Sequence, residues 1–383
     1  MEIDPWASKG VQNYNEICEK FGLESIDHTK LPSPTHLHRR GIIFAHRDLN
    51  NVLEARKAGQ PFGVLSGLMP SGQIHLGHKM VIDQAKWFQD LGGDVTITVA
   101  DLEAHATRGL SLEKCRKYAI EEYISNYAGM GLNPDKTSIY FQSERPIVQK
   151  LGFTLGKKTN LSEMEAIYGF SGETNLAHVQ SPLVQAGDIV HPQLDEYGGL
   201  RPIVVPVGID QDPHIRLTRG MVSKTNWFNV NPNKSGNITI GLSIQDNNQI
   251  SMGIRDDGGV DRNQRQKVID KAIKAIGKAG FTQTNANPKH GTIEVKDATY
   301  ENQNEIKYQL LKLERQMGGM GLMQPASTYH QFAVGMTGGK MSSSQPETTM
   351  FLNDSMKDIE KKIKSSFSGG QATVEEHRAK GGN

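Results

Sequence analysis

The chain has 383 residues with 40 glycines, 16 prolines and two cysteines, enough for two or three domains and a sizeable buried core. Its 43 lysines and arginines against 42 aspartates and glutamates leave a formal net charge of +1, which excludes an overall basic field and leaves any nucleic-acid partner to local patches and shape. Cys18 and Cys115 with scattered histidines give no disulfide framework and no zinc spacing, and no apolar run is long enough for a membrane span or a secretory signal, so the expectation is a cytoplasmic protein with no structural metal and no membrane contact.

Residues 1–60 read as an N-terminal extension. It holds a short helical pattern over 14–21, a linker at Leu31-Pro32-Ser33-Pro34 and a basic cluster over 36–40 that is expected to be a solvated face, with a phosphate contact by Arg39 or Arg40 as the sharper alternative. From 61 to 225 buried strands alternate with amphipathic helices: strands over 62–66, 95–100, 138–141 and 202–207, helices over 79–91, 112–130 and through 148–168. That alternation predicts an α/β fold with a doubly wound parallel sheet and a ligand at the carboxyl ends of its strands. Asp101 and Glu103 follow one strand, and Gly208 to Asp212 follow another. Over 226–323 the composition shifts to asparagine, glycine and charge. Strands over 238–244 and 250–254 around Asp246-Asn247-Asn248, a helix over 264–276, a strand over 292–295 and a helix over 304–316 predict an inserted small α+β module. Arg262, Arg265, Lys267 and Lys271 make its surface a candidate nucleic-acid contact, against the plainer reading of a structural decoration. Residues 324–365 return to the first domain, with a strand expected over 350–352 and a helix over 356–363.

The chain is organised around Pro70-Ser71-Gly72-Gln73-Ile74-His75-Leu76-Gly77-His78, a tight loop between a buried strand and a helix. Gly77 removes a side chain where the helix begins, so a ligand can approach the backbone. Free N–H groups and the positive end of the dipole make such a helix start an anion site, and His75 and His78 add side-chain donors to it. Taken alone, the pair is most simply a helix cap with surface imidazoles. A second stretch, Gly338-Gly339-Lys340-Met341-Ser342-Ser343-Ser344, brings a lysine and three hydroxyls on a glycine-led loop. The two together are far more specific than either.

His75-Leu76-Gly77-His78 resembles the "HIGH" signature of class I aminoacyl-tRNA synthetases, and Lys340-Met341-Ser342-Ser343-Ser344 resembles their "KMSKS" loop with serine for the second lysine. Ile3-Asp4-Pro5-Trp6, His38-Arg39-Arg40-Gly41-Ile42, His46-Arg47-Asp48, Gly208-Ile209-Asp210-Gln211-Asp212-Pro213, Phe367-Ser368-Gly369-Gly370 and Glu375-Glu376-His377-Arg378 are similar to the tryptophanyl enzymes of archaea and eukaryotes. The resemblance implies a Rossmann-like catalytic domain and two-step chemistry. ATP and L-tryptophan would form tryptophanyl-adenylate with help from a magnesium ion (Mg2+), and tRNA(Trp) would accept the product. It implies that His75, His78, Lys340, Ser342 and Ser344 act on the phosphates, and that Gly67, Pro70, Ser71, Gly77, Gly208, Asp210 and Met341 line the ATP site. A homodimer is implied as well, and residues 366–383 would open a C-terminal helical domain that reads the anticodon in relatives.

For the amino acid, Gln185 and Asp188 lie three apart in Ser181-Pro182-Leu183-Val184-Gln185-Ala186-Gly187-Asp188 and would share one face of a helix. In related enzymes an aspartate matching Asp188 accepts an indole N–H or a phenol. Tyrosyl enzymes typically place tyrosines where Leu65 and Ser181 stand, so the apolar and small pair favours tryptophan. Eukaryotic tryptophanyl enzymes use a tyrosine at the Leu65 position and a glutamine near Thr98, both absent, which leaves Asp188 as the candidate indole acceptor. Glu103, Gln185 and Gln211 match residues that hold the amino acid's ammonium or carboxylate. A tyrosyl-type enzyme and a non-catalytic or adenylation-only paralogue are the alternatives.

Overall fold

The computed structural model describes residues 14–243, 262–336, 341–343, 345–366, 370 and 373–380. Ile3 to Trp6, the turn at Asp246 to Asn248, the strand expected over 250–254, Lys340, Ser344 and Phe367 to Gly369 lie outside the described residues.

The strands in chain order are β1 (Glu24–Ser25), β2 (Ile43–Arg47), β3 (Gly63–Leu68), β4 (Asp94–Val99), β5 (Thr137–Phe141), β6 (Ile203–Gly208), β7 (Phe228–Pro232), β8 (Ile238–Leu242), β9 (Thr284–Asn287), β10 (Thr292–Val295) and β11 (Ala326–His330). Seven form one sheet in the order β1-β2-β11-β6-β3-β4-β5, parallel from β11 to β5. The chain runs outward from β3 through β4 to β5, then returns to place β6 on the other side of β3. That reversal is a topological switch point, where a crevice opens at the carboxyl ends of the strands. The expected doubly wound sheet is therefore the fold. Alternation along β3 splits the core: Val64 packs with Ile82, Phe88 and Ile97 on one face, and Leu65 packs with Leu155, Ile189 and Val205 on the other.

Four features differ from the sequence reading. β1 and β2, from the extension, join the sheet edge, with β2 antiparallel to β11; the ionisable side chains of His46 and Arg47 mask the apolar pattern of Ile43-Phe44-Ala45. The basic cluster does not form one solvated face, because the single helical turn His36–Arg39 turns His38 inward. There its ring lies 4.4 Å from Trp87 and burial pushes it down to about 4, while His36, Arg39 and Arg40 stay exposed. The helix over 112–130 contains a π-helical stretch, Ala119–Ile124, which directs the Tyr123 hydroxyl to the Met69 carbonyl at 3.0 Å, under the His75 loop. Met350 to Leu352 make no strand ladder. A single antiparallel bridge joins Phe351 to His75, with Leu76 N donating to Met350 O at 3.1 Å and Leu352 N to Ile74 O at 2.9 Å.

The inserted module is a four-stranded antiparallel sheet, β7-β8-β10-β9, with helices Arg262–Gly277 and Gln303–Gln316. Ile240, Ile269, Ile276, Ile293, Ile306 and Leu310 form its own core. β7 and β9 escape the sequence reading because asparagines occupy their outward positions. Arg265, one of the cations considered for nucleic acid, donates to the Lys289 carbonyl at 3.2 Å. The stem is closed by side chains that act as backbone partners. Asn226 bonds the N–H and C=O of Leu322, and Glu314, fully buried, accepts from Trp227 N at 2.8 Å and Gly321 N at 3.0 Å. Glu314→Ala leaves two buried N–H groups without acceptors, at about 1–3 kcal/mol each. The expected result is a loss of about 2–6 kcal/mol in urea unfolding with faster proteolysis of the module, and an unchanged transition would contradict this role for the stem.

Candidate active site

The crevice at the switch point is a cavity of about 650 Å³ lined from β3, β4, β6, the Leu176–Val190 helix and the segments after β11. Leu65, Gly67, Ser71, His75, Gly77, His78, Glu103, Gln185, Asp188, Gly208, Asp210, Gln211, Met341 and Ser342 all line it. Pro70 is buried and does not, and Lys340 and Ser344 lie outside the described residues. Asp101 and Asp212, though at strand ends, serve the scaffold. Asp101 accepts from Ser143 N at 3.1 Å, and Asp212 accepts from Arg47 at 3.0 Å and from the Tyr329 hydroxyl at 2.6 Å.

The two motif loops meet at the mouth. Ser343 Oγ donates to the Gln73 carbonyl at 3.2 Å. Met336 N bonds Thr348 O at 2.8 Å and Met341 N bonds Ala333 O at 2.8 Å, so the two flanks of the Lys340 loop are held to each other. Within the first loop, Gly77 N donates to His75 Nδ1 at 3.0 Å and His75 N donates to His78 Nδ1 at 3.2 Å, with the rings stacked 3.8 Å apart. Each Nδ1 acts as an acceptor, so a neutral ring carries its proton on Nε2 and offers that N–H as a donor. Gly77 is required sterically: a Cβ there would lie 2.8 Å from His75 Cε1. Gly67 and Gly208 are tight too, since a Cβ would lie 2.9 Å from Thr98 O in the first case and 2.5 Å from Asp210 Oδ1 in the second.

Deeper in the cavity the wall is acidic and polar. Burial, then the charge of Asp188, pushes Glu103 up to about 7. Burial pushes Asp188 up to about 7 as well, against the hydrogen bonds it receives from Tyr140 and Gln142. Those bonds occupy both carboxylate oxygens: the Tyr140 hydroxyl donates to Oδ1, and Gln142 Nε2 donates to Oδ2 at 2.5 Å. Behind Tyr140, the Arg145 guanidinium lies 3.8 Å from its ring centre. His214, also on the wall, lies 2.9 Å from the Tyr168 hydroxyl through Nδ1, and burial pushes it down to about 3. A site with raised carboxylates, a neutral His214 and donors at a helix start is suited to a cationic amine at one end and a phosphate at the other.

Sequence reasoning missed Tyr140, Gln142, Arg108, His214 and His330. For Tyr140 and Gln142 the signal was available, since they flank the carboxyl end of β5 as Asp101 flanks that of β4. Arg108, which lines the mouth, is the one lysine or arginine side chain on the cavity among the described residues.

The model of the family "tRNA synthetases class I (W and Y)" matches residues 57–240 and 297–380, breaking within the inserted module. The tryptophan–tRNA ligase of Methanosarcina acetivorans is 40% identical over 384 residues, covering 100% of this chain and 82% of that protein. That of Archaeoglobus fulgidus is 38% identical, covering 100% and 83%. The crystal structure of tryptophanyl-tRNA synthetase from Aeropyrum pernix superposes with a TM-score of 0.66 at 34% identity, covering 99% of this chain and 80% of that one.

The raised carboxylates carry a prediction. Below about 7 Glu103 and Asp188 hold protons, and above it they are ionised. A ligand that sets an ammonium group against Glu103 is therefore expected to bind tighter as pH rises from 6 to 8, by up to about tenfold per pH unit below 7 and levelling above. Glu103→Gln flattens that curve. Calorimetric affinity for an α-amino acid ligand that stays level over this range in the unsubstituted protein would contradict the electrostatics.

Proposed function

The chain belongs to the class I tRNA synthetases for tryptophan and tyrosine, and from that premise we propose that it is a tryptophan–tRNA ligase: it activates L-tryptophan with ATP to tryptophanyl-adenylate and pyrophosphate, then transfers the tryptophanyl group to tRNA(Trp). The observation that carries the reading is the meeting of the two motif loops over one cavity that has phosphate donors at its mouth and acceptors in its depth.

The chemistry follows from positioning and charge. An oxygen of the tryptophan carboxylate attacks the α-phosphorus of ATP in line, the bond to the bridging oxygen breaks, and pyrophosphate leaves. The terminal ribose hydroxyl of tRNA then attacks the activated carbonyl, and AMP leaves. The first nucleophile is already ionised, so the protein's task in that step is to align and to stabilise charge. His75 and His78 give Nε2–H bonds to the phosphates, Lys340 with Ser342 and Ser344 closes on the departing pyrophosphate, and Gly67, Gly77, Gly208, Asp210 and Met341 border the nucleotide. Ser343 removes a unit of charge from that loop relative to the family signature, which places more of the task on Lys340 and on magnesium. Magnesium would be carried by the ATP phosphates and would supply positive charge to the pyrophosphate as it leaves. Glu103 and Gln185 receive the ammonium group and Gln211 lies toward the carboxylate.

Leu65 offers the flat side chain an apolar wall, while Ser181, expected from sequence to leave room for the rings, is buried with its hydroxyl donating to Ala177 O at 3.0 Å and does not line the cavity. Residues 61–225 and 324–365 form the catalytic domain in this reading, with 1–60, 226–323 and 366–383 as extension, insertion and C-terminal start. A homodimer belongs to this reading through the family resemblance. The cytoplasm is the place of work.

Charging of a tRNA(Trp) transcript with labelled tryptophan tests the function. In pre-steady-state assays, Lys340→Ala is expected to slow adenylate formation by about two orders of magnitude or more while hardly changing tryptophan affinity, as the loss of one transition-state donor requires. Equal losses in rate and affinity would contradict the role given to Lys340.

A further inference from the structure

Gln142 stands just past the carboxyl end of β5 and is 1% exposed. Its Nε2 donates to Asp188 Oδ2 at 2.5 Å, which fixes the amide with its NH2 toward the carboxylate and its oxygen turned away. That oxygen, Oε1, is buried and accepts no hydrogen bond among the described residues, while the residue itself lines the cavity. A buried amide oxygen without a donor is held at a free-energy penalty that a ligand N–H would relieve.

Asp188 stands differently. Its Oδ1 accepts from the Tyr140 hydroxyl, whose oxygen accepts in turn from Thr98 Oγ1, and its Oδ2 accepts from Gln142. Donors of the wall already serve both oxygens. The charge also matches poorly, because an indole N–H is neutral and leaves an ionised carboxylate beside an aromatic ring uncompensated, whereas an amide oxygen is a neutral acceptor.

We propose that Gln142 Oε1 is the acceptor for the indole N–H of tryptophan, held in register by the hydrogen bond from its own amide to Asp188. This rests on tryptophan being the substrate. Asp188, the candidate acceptor from sequence, then acts on the ring through Gln142. A site built around an acceptor rejects an isostere that lacks the matching N–H, because the acceptor is left buried and unpaired.

The test compares tryptophan with β-(3-benzothienyl)alanine, in which sulfur replaces the ring N–H, by amino-acid-dependent exchange of pyrophosphate into ATP. The unsubstituted enzyme is expected to favour tryptophan in kcat/KM by about a hundredfold or more. Gln142→Met, close in length and without an acceptor, is expected to lower that ratio at least tenfold by weakening tryptophan, with the analogue's kcat/KM changed only a few-fold. Both amino acids are read by the same folded sites, so the ratio survives a smaller folded fraction. Should this variant turn over neither, the same ratio is read from the calorimetric affinities of tryptophan and the analogue for it, and an undiminished preference for tryptophan there overturns the proposal. An unchanged ratio in Gln142→Met overturns it too, as does a collapse confined to Gln185→Met, whose Oε1 is the other unpartnered amide oxygen on the cavity wall among the described residues. Failure of the unsubstituted enzyme to exchange with tryptophan would instead count against the substrate, and with it against the ground of this assignment.

Discussion

The structure depends on a short backbone junction: Leu76 N to Met350 O and Leu352 N to Ile74 O, around the bridge of His75 with Phe351. It joins the loop that opens the His75 helix to the segment that follows the Lys340 loop, two pieces separated by most of the catalytic chain and the whole inserted module. Several other contacts hold each side in place. Tyr123 supports Met69 from below, and on the far side Phe351 N bonds Asp354, whose carboxylate receives Lys362 at 2.7 Å. Phosphate donors contributed by distant stretches can act together in one transition state only if their anchors share a rigid frame. The junction provides that frame, and the doubly wound sheet provides the geometry that makes the junction reachable.

The cavity is kept in a state that is poor for folding and good for a ligand. Glu103 and Asp188 are raised into the neutral range by burial, and Gln142 Oε1 and Gln185 Oε1, on residues of the cavity wall, are buried without donors among the described residues. Each feature is destabilising alone, and each is relieved by a ligand that carries an ammonium group and ring or amine N–H donors. The stability that tolerates this comes from elsewhere: the two sheet faces, the buried Asp212 cluster with Arg47 and Tyr329, and the separate core of the module.

The parallel sheet and the stretch that opens the His75 helix were legible because they are written locally. Val64, Leu65 and the run over 79–91 have clear periods, and glycine at 77 is forced by a His75 ring that would touch any Cβ. What was not legible depended on partners far away. Ile43-Phe44-Ala45 becomes a strand only because β11 supplies a neighbour, and Met350 to Leu352, apolar enough for a strand, has room for one bridge. His38 reads as part of a basic patch until Trp87 closes over it. Gln142 and Tyr140 are polar residues whose meaning appears when Asp188 arrives from a helix 46 residues further on in one case and 48 in the other. Asp188 itself was found by spacing, but spacing could not say that its oxygens were already taken.

The measurement that bears most directly on the account is pyrophosphate exchange into ATP with each of the twenty amino acids in turn, without tRNA. Exchange with tryptophan alone is the predicted result, since it requires the junction, both phosphate loops and the indole pocket to be in place at once. Exchange with tyrosine in preference to tryptophan would contradict the pocket as described, and no exchange with any amino acid would contradict the account of the two loops as a catalytic pair.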